Sequence, residues 1–107
     1  MTKKEKLFLE MSELRKTDAF FVDYNGQYGY YIACGNNGND KDLADFFQIE
    51  VESLQKILLT HGGYFKKSKY LNYDLVYFKK YEKAKNALKY LEPYVIMAKL
   101  QGRIMAE

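Results

Sequence analysis

The sequence predicts a small α+β domain, with two antiparallel β-hairpins over about residues 19–34 and 64–78 and four or five helices. Three observations predict it. A chain of 107 residues has the length of one domain, and its 48% hydrophobic and 17% aromatic content supplies one folded core. Two stretches rich in aromatic and β-branched residues are each interrupted by a short polar turn, as the strands of a hairpin are. The remaining stretches carry apolar residues at helical spacing.

Residues 3–16 read as an amphipathic helix, with Leu7, Met11 and Leu14 at i, i+4 and i+7 and Phe8 beside them. Thr17 and Asp18 end it. Residues 19–24 and 27–34 are strand-like and flank Asn25-Gly26. That dipeptide suits a type I′ turn, whose two central residues need positive φ. A two-residue loop there pairs Phe21 with Tyr30 and Phe20 with Tyr31. Gly35-Asn36-Asn37-Gly38-Asn39 is a loop by composition, and Asp40 is a candidate N-cap for the next helix. Two short helices follow, about residues 41–47 and 51–61. Gly62-Gly63 stops the second, because glycine accepts the left-handed position after a helix. The second hairpin uses residues 64–70 and 74–78 around Leu71-Asn72-Tyr73. A lysine-rich helix over about residues 79–91 buries Tyr81, Ala84, Leu88 and Leu91. Pro93 suits the first turn of a new helix. In that helix, about residues 94–105, Ile96, Leu100 and Ile104 recur at i+4 spacing.

Within residues 41–62, Leu43, Phe47, Ile49, Leu54 and Ile57 occupy the apolar positions of a helical corner, and Ala44 is the small residue where two helices meet. A lysine- and tyrosine-rich hairpin follows directly. This order resembles a helix–turn–helix with a wing, as in small phage or mobile-element proteins. The resemblance implies a nucleic-acid partner approached by the second helix, with Gln55 and Lys56 on its outer side, and by the wing. Gln48 stands where that family has a turn glycine, and a left-handed residue other than glycine costs about 1–2 kcal/mol. Glu50 and Glu52 at the start of the second helix oppose phosphate. A plain packed α-hairpin accounts for the same apolar pattern.

The net charge of +3 is unevenly placed. Residues 40–62 carry −3, whereas residues 63–91 hold eight lysines against two acids. Lys66, Lys67 and Lys69 alternate with Tyr64 and Tyr70, and Lys79, Lys80, Lys83, Lys85 and Lys89 extend the charge along the next helix. Ammonium groups neutralise phosphates and tyrosine faces stack on bases, so Lys66, Lys67, Lys69, Tyr64, Tyr70, Lys80 and Lys83 are the candidate contacts. A solvated lysine face that protects an edge strand is the competing reading. Arginine is nearly absent (Arg15 and Arg103), which removes the usual bidentate contact to guanine. Backbone binding with little sequence choice is the expected form of any nucleic-acid role.

Eleven tyrosines are many for this length. Tyr28, Tyr30 and Tyr31 on the first hairpin are candidate protein-interface residues, or ordinary strand residues. Ile96, Leu100 and Ile104 are candidates for a homodimer face. The catalytic inventory is close to empty. Cys34 and His61 are the only residues of their types, too few for a metal site, and no phosphate-binding glycine loop is present. No enzyme, metal or cofactor is expected. The single cysteine permits no internal disulfide and suits a reducing compartment. The first residues lack the pattern of a signal peptide, and no apolar run approaches about 20 residues, so a cytoplasmic protein without a membrane span is expected. Lys-, Tyr-, Asn- and Ile-rich composition fits the AT-rich coding of a low-GC bacterium or its phage. The expected function is non-enzymatic binding to nucleic acid or a nucleoprotein. The alternative is a phage-encoded factor that inhibits a host protein, such as an anti-defence or anti-CRISPR inhibitor.

Overall fold

The computed structural model describes residues 2–34, 40–67 and 74–102, apart from the side chains of Thr17, Lys67 and Asp74. Helix α1 (Lys3–Thr17) is opened by Thr2, whose Oγ1 accepts from the Glu5 amide at 3.1 Å. Thr2 and Glu5 stand at the spacing of a capping box, which offsets donors the first turn leaves unpaired. Met11 enters the core, with Leu7 and Phe8 against its edge.

Strands β1 (Phe20–Asn25) and β2 (Gly29–Cys34) pair antiparallel, with Tyr24 opposite Tyr30 and Asn25 opposite Gly29. The two-residue turn is therefore corrected. Phe21 pairs with Ala33 and Phe20 with Cys34, not with Tyr30 and Tyr31. Neither Asn25 nor Gly26 has positive φ; the residue that does is Gly29, at 110°. The Asn25 side chain holds the wider turn by accepting from the Gln27 and Tyr28 amides at 2.8 and 3.1 Å.

Helices α2 (Asp40–Phe47) and α3 (Val51–Thr60) form the corner. Asp40 lies inside α2 rather than before it as a cap. Its buried carboxylate Oδ2 instead accepts from Gln55 Nε2 and the Val76 amide, both at 3.0 Å, and so links both helices to the second hairpin. Gln48 takes the left-handed conformation, with φ 57°. Ala44 is buried, and Leu43, Phe47 and Leu54 fill the corner with Ile49 and Ile57 at its margin. After α3, Gly62 turns left-handed at φ 97°. The Gly62 and Gly63 amides donate to the Leu59 and Leu58 carbonyls, a Schellman ending.

Strands β3 (Tyr64–Lys67) and β4 (Asp74–Tyr77) form the second hairpin, with Tyr64 opposite Tyr77. Its predicted turn, residues 71–73, lies outside the described residues, as does the loop over residues 35–39. The hairpins meet at one bridge, where Tyr30 and Phe78 exchange amide-to-carbonyl bonds of 2.8 and 2.7 Å. Helix α4 (Tyr81–Tyr90) buries Tyr81, Ala84 and Ala87, while Leu88 is only half-buried. Helix α5 (Glu92–Leu100) carries Pro93 in its first turn and buries Ala98. Tyr94 packs on Phe47 with ring centroids 5.8 Å apart. The core thus draws side chains from α1, both hairpins, α2, α3 and α4. No helix among the described residues is long and apolar enough to cross a membrane.

Candidate binding surface

Side chains alternate across a strand, so the joined hairpins have two faces. The inner face sends Val22, Ile32, Val76 and Phe78 into the core. Tyr30 belongs to this side. Its ring lies 4.8 Å from that of Tyr24 and 5.9 Å from that of Tyr81, and burial, with Tyr24 adding to it, raises its phenol pKa. It therefore supports the core rather than presenting an interface.

The outer face gathers Tyr28, Tyr31, Tyr64 and Tyr77. Tyr77 is buried at its centre, with its ring 5.4 Å from Tyr28 and 5.7 Å from Tyr31. Burial first, and the neighbouring phenols second, push its pKa up. The Tyr64 hydroxyl donates to the Tyr28 carbonyl, which ties the second hairpin to the turn of the first. Tyr31 donates to Asp23 at 3.4 Å, and Arg15 pairs with the same carboxylate at 3.3 Å while lying over the Phe21 ring.

Two lysines cap this aromatic face. Lys66 Nζ stands 5.4 Å from the Tyr28 ring centroid, and Lys79 Nζ stands 5.8 Å from that of Tyr64. Both distances are within cation–π range, about 6 Å. At exposed sites such a contact is worth about 0.5–1 kcal/mol, and Lys66 and Lys79 are exposed. None of these residues lines the depressions beside α5 or beneath the α2–α3 turn. The face is therefore aromatic and positively charged, with Tyr28, Tyr31 and Tyr64 half-buried around Tyr77.

No family model, curated protein or solved structure matches this chain.

The remaining predicted residues are dispersed. Lys80 and Lys83 are exposed at the start of α4, and the Lys83 alkyl chain runs beside Gly62. Lys56 is exposed on α3, whereas Gln55 is half-buried and donates to Asp40, so it serves the fold. Lys67 pairs its backbone with Asp74. Lys69, Tyr70 and Ile104 lie outside the described residues. Ile96 and Leu100 are exposed on α5, far along the chain from the hairpins. The lysine stripe of α4 is divided. Lys85 pairs with Glu10 of α1 at 3.0 Å and lies over Tyr81, so it fastens two helices. Lys79 belongs to the lysine stripe expected from the sequence, whereas Tyr77 was not among the candidates. Alternation along β4 was the available signal, since it puts Tyr77 and Lys79 on one side.

Cys34 ends β2 and is half-buried, and burial raises its thiol pKa, which keeps it protonated near neutrality. His61 caps α3 and packs on Tyr90, with ring centroids 4.4 Å apart.

Proposed function

We propose that this protein binds nucleic acid, or a nucleoprotein, through the outer face of its joined hairpins. The observation that carries this reading is the pair of lysines, Lys66 over Tyr28 and Lys79 over Tyr64, on one aromatic face. Their ammonium groups contact phosphates, and the tyrosines offer edges and faces to sugar and base. The helical corner supports a helix–turn–helix-like reading through its left-handed Gln48 and buried Ala44. Its second helix is a poor reader of bases, because Glu50 and Glu52 are exposed at its start and Gln55 is engaged with Asp40. The corner therefore acts as the scaffold and the hairpins as the contact, giving backbone binding with little sequence choice.

Fluorescence anisotropy with single- and double-stranded oligonucleotides tests this. Binding should weaken steeply with salt. Lys66→Gln with Lys79→Gln should reduce the slope of log affinity against log salt by about one for each phosphate that is no longer neutralised. Absence of binding at low salt, or an unchanged slope in the double variant, removes the reading. A second reading, a phage-type inhibitor that docks on a host protein, is favoured by the tyrosine cluster. It predicts affinity for a protein that changes little with salt.

A further inference from the structure

Helix α5 is apolar on the side that leaves the molecule. Ala98 is buried, with Tyr94 and Val95 half-buried, but Ile96 and Met97 are each 50% exposed and Leu100 is 78% exposed. Glu92, Ile96 and Lys99 are spaced by four and three residues, so they form one row along the helix. All three line a depression of about 290 Å³ between α5 and the start of β1, where Phe20, Leu88 and Val95 supply apolar wall and Asp18 and Lys89 add one charge of each sign. Neither Glu92 nor Lys99 has an ion-pair partner within the chain among the described residues. The two cannot pair with each other, because seven residues of helix separate them by about 10 Å.

We infer that α5 associates with α5 of a second copy of this chain, antiparallel about a twofold axis through the row centred on Ile96. The order of charges selects this occupant. Ile96 lies near the midpoint, with an acid one turn before it and a base one turn after it. An antiparallel copy sets Glu92 of each chain against Lys99 of the other and brings the two Ile96 side chains together. A parallel copy opposes like charges at both ends. A partner helix of uniform charge satisfies one end and repels the other. The depression beside the row seats an apolar side chain of the facing helix. A twofold contact closes on itself and leaves no further copy to add. A helix of nine residues with one adjoining depression makes a small interface, so the dimer is reversible. This inference is independent of the nucleic-acid reading, and its test contains no nucleic acid.

Sedimentation equilibrium of the whole chain, from low to high micromolar concentration, measures it directly. The average mass should rise from that of one chain, 12.6 kDa, toward twice that value. Ile96→Glu should hold the mass at one chain. Glu92→Lys and Lys99→Glu should each weaken association by about tenfold, by putting like charges across the interface, and the two together should restore it. Thermal melts of each variant, followed by circular dichroism, separate loss of association from loss of fold. A single-chain mass at every concentration overturns the inference. A dimer indifferent to Ile96→Glu, or a double reversal no better than its single parents, overturns it equally.

Discussion

Asp40 is a carboxylate taken out of water without a cation to balance it among its described partners. Burial raises its pKa from 3.8 to about 6, and the hydrogen bonds from Gln55 and the Val76 amide only partly oppose that rise. Between those two values the folded protein holds a proton that the unfolded chain has released. Stability therefore falls as pH rises through this window, and the whole penalty is present above about pH 6. About two pKa units correspond to roughly 3 kcal/mol. In Asp40→Asn this contribution is absent. Urea melts at several pH values should show the variant gaining on the parent from pH 4 to pH 7 and levelling off beyond. A constant difference across that range refutes the assignment. Removing the acceptor altogether acts in the other direction. At pH 4, where the charge-burial penalty is absent, Asp40→Ala leaves the Val76 amide unpaired and should cost about 1–3 kcal/mol. Gln48 holds strain of another kind. Its φ of 57° is what a turn glycine adopts freely. Gln48→Gly should be neutral or stabilising by up to about 1 kcal/mol, since relief of strain competes with a more flexible unfolded chain. A clear fall in the urea midpoint contradicts this.

Most elements were legible in the sequence because each helix or strand has one apolar side that a shared core uses. A left-handed Gln48 was expected only from the helix–turn–helix resemblance, whereas the Gly62 stop and Pro93 in the first turn of the last helix followed from local backbone chemistry. The register of the first hairpin did not. Asn25-Gly26 has the right composition for a tight turn, but the constraint that decides the turn lies at the other hairpin. A Cβ on Gly29 would stand 2.5 Å from the Phe78 carbonyl oxygen, at a φ of 110° that disfavours side chains. A Cβ on Gly26 would meet nothing within 4 Å. The two glycines therefore predict opposite outcomes. Gly26→Ala should be neutral or slightly stabilising, and Gly29→Ala should cost about 1–3 kcal/mol or more. Equal effects on thermal midpoint would mean that the register is wrong. The binding surface was legible only in part, for a similar reason. Lysine density showed in composition, but the placing of Lys79 over Tyr64 depends on the register of the second hairpin, and that of Lys85 on Glu10 on a contact 75 residues apart.

At the scale of the molecule, the two hairpins are separate sheets joined by one bridge, yet they share one core. That cluster runs from Met11 through Val22, Ile32, Leu54 and Val76 to Leu91 without a break. The Cα radius of gyration is 13.4 Å, close to the value of about 13 Å for one body of this length. The amide-to-carbonyl pair between Tyr30 and Phe78 and the bond from Tyr64 to the Tyr28 carbonyl cross the joint. Neither hairpin has enough strands to stand alone, because an isolated two-stranded ribbon is marginal in water. Helix and hairpin must therefore unfold together. The chain has no tryptophan, so emission from its eleven tyrosines reports on the hairpins and their neighbours, while far-ultraviolet dichroism reports mainly on the helices. Measured on Ile96→Glu, where self-association does not enter, the two signals should give one coincident urea transition. Gly29→Ala should shift both signals to lower urea by the same amount. If the tyrosine signal alone moves, the joint is a hinge between independent units and the outer face is not a single rigid surface.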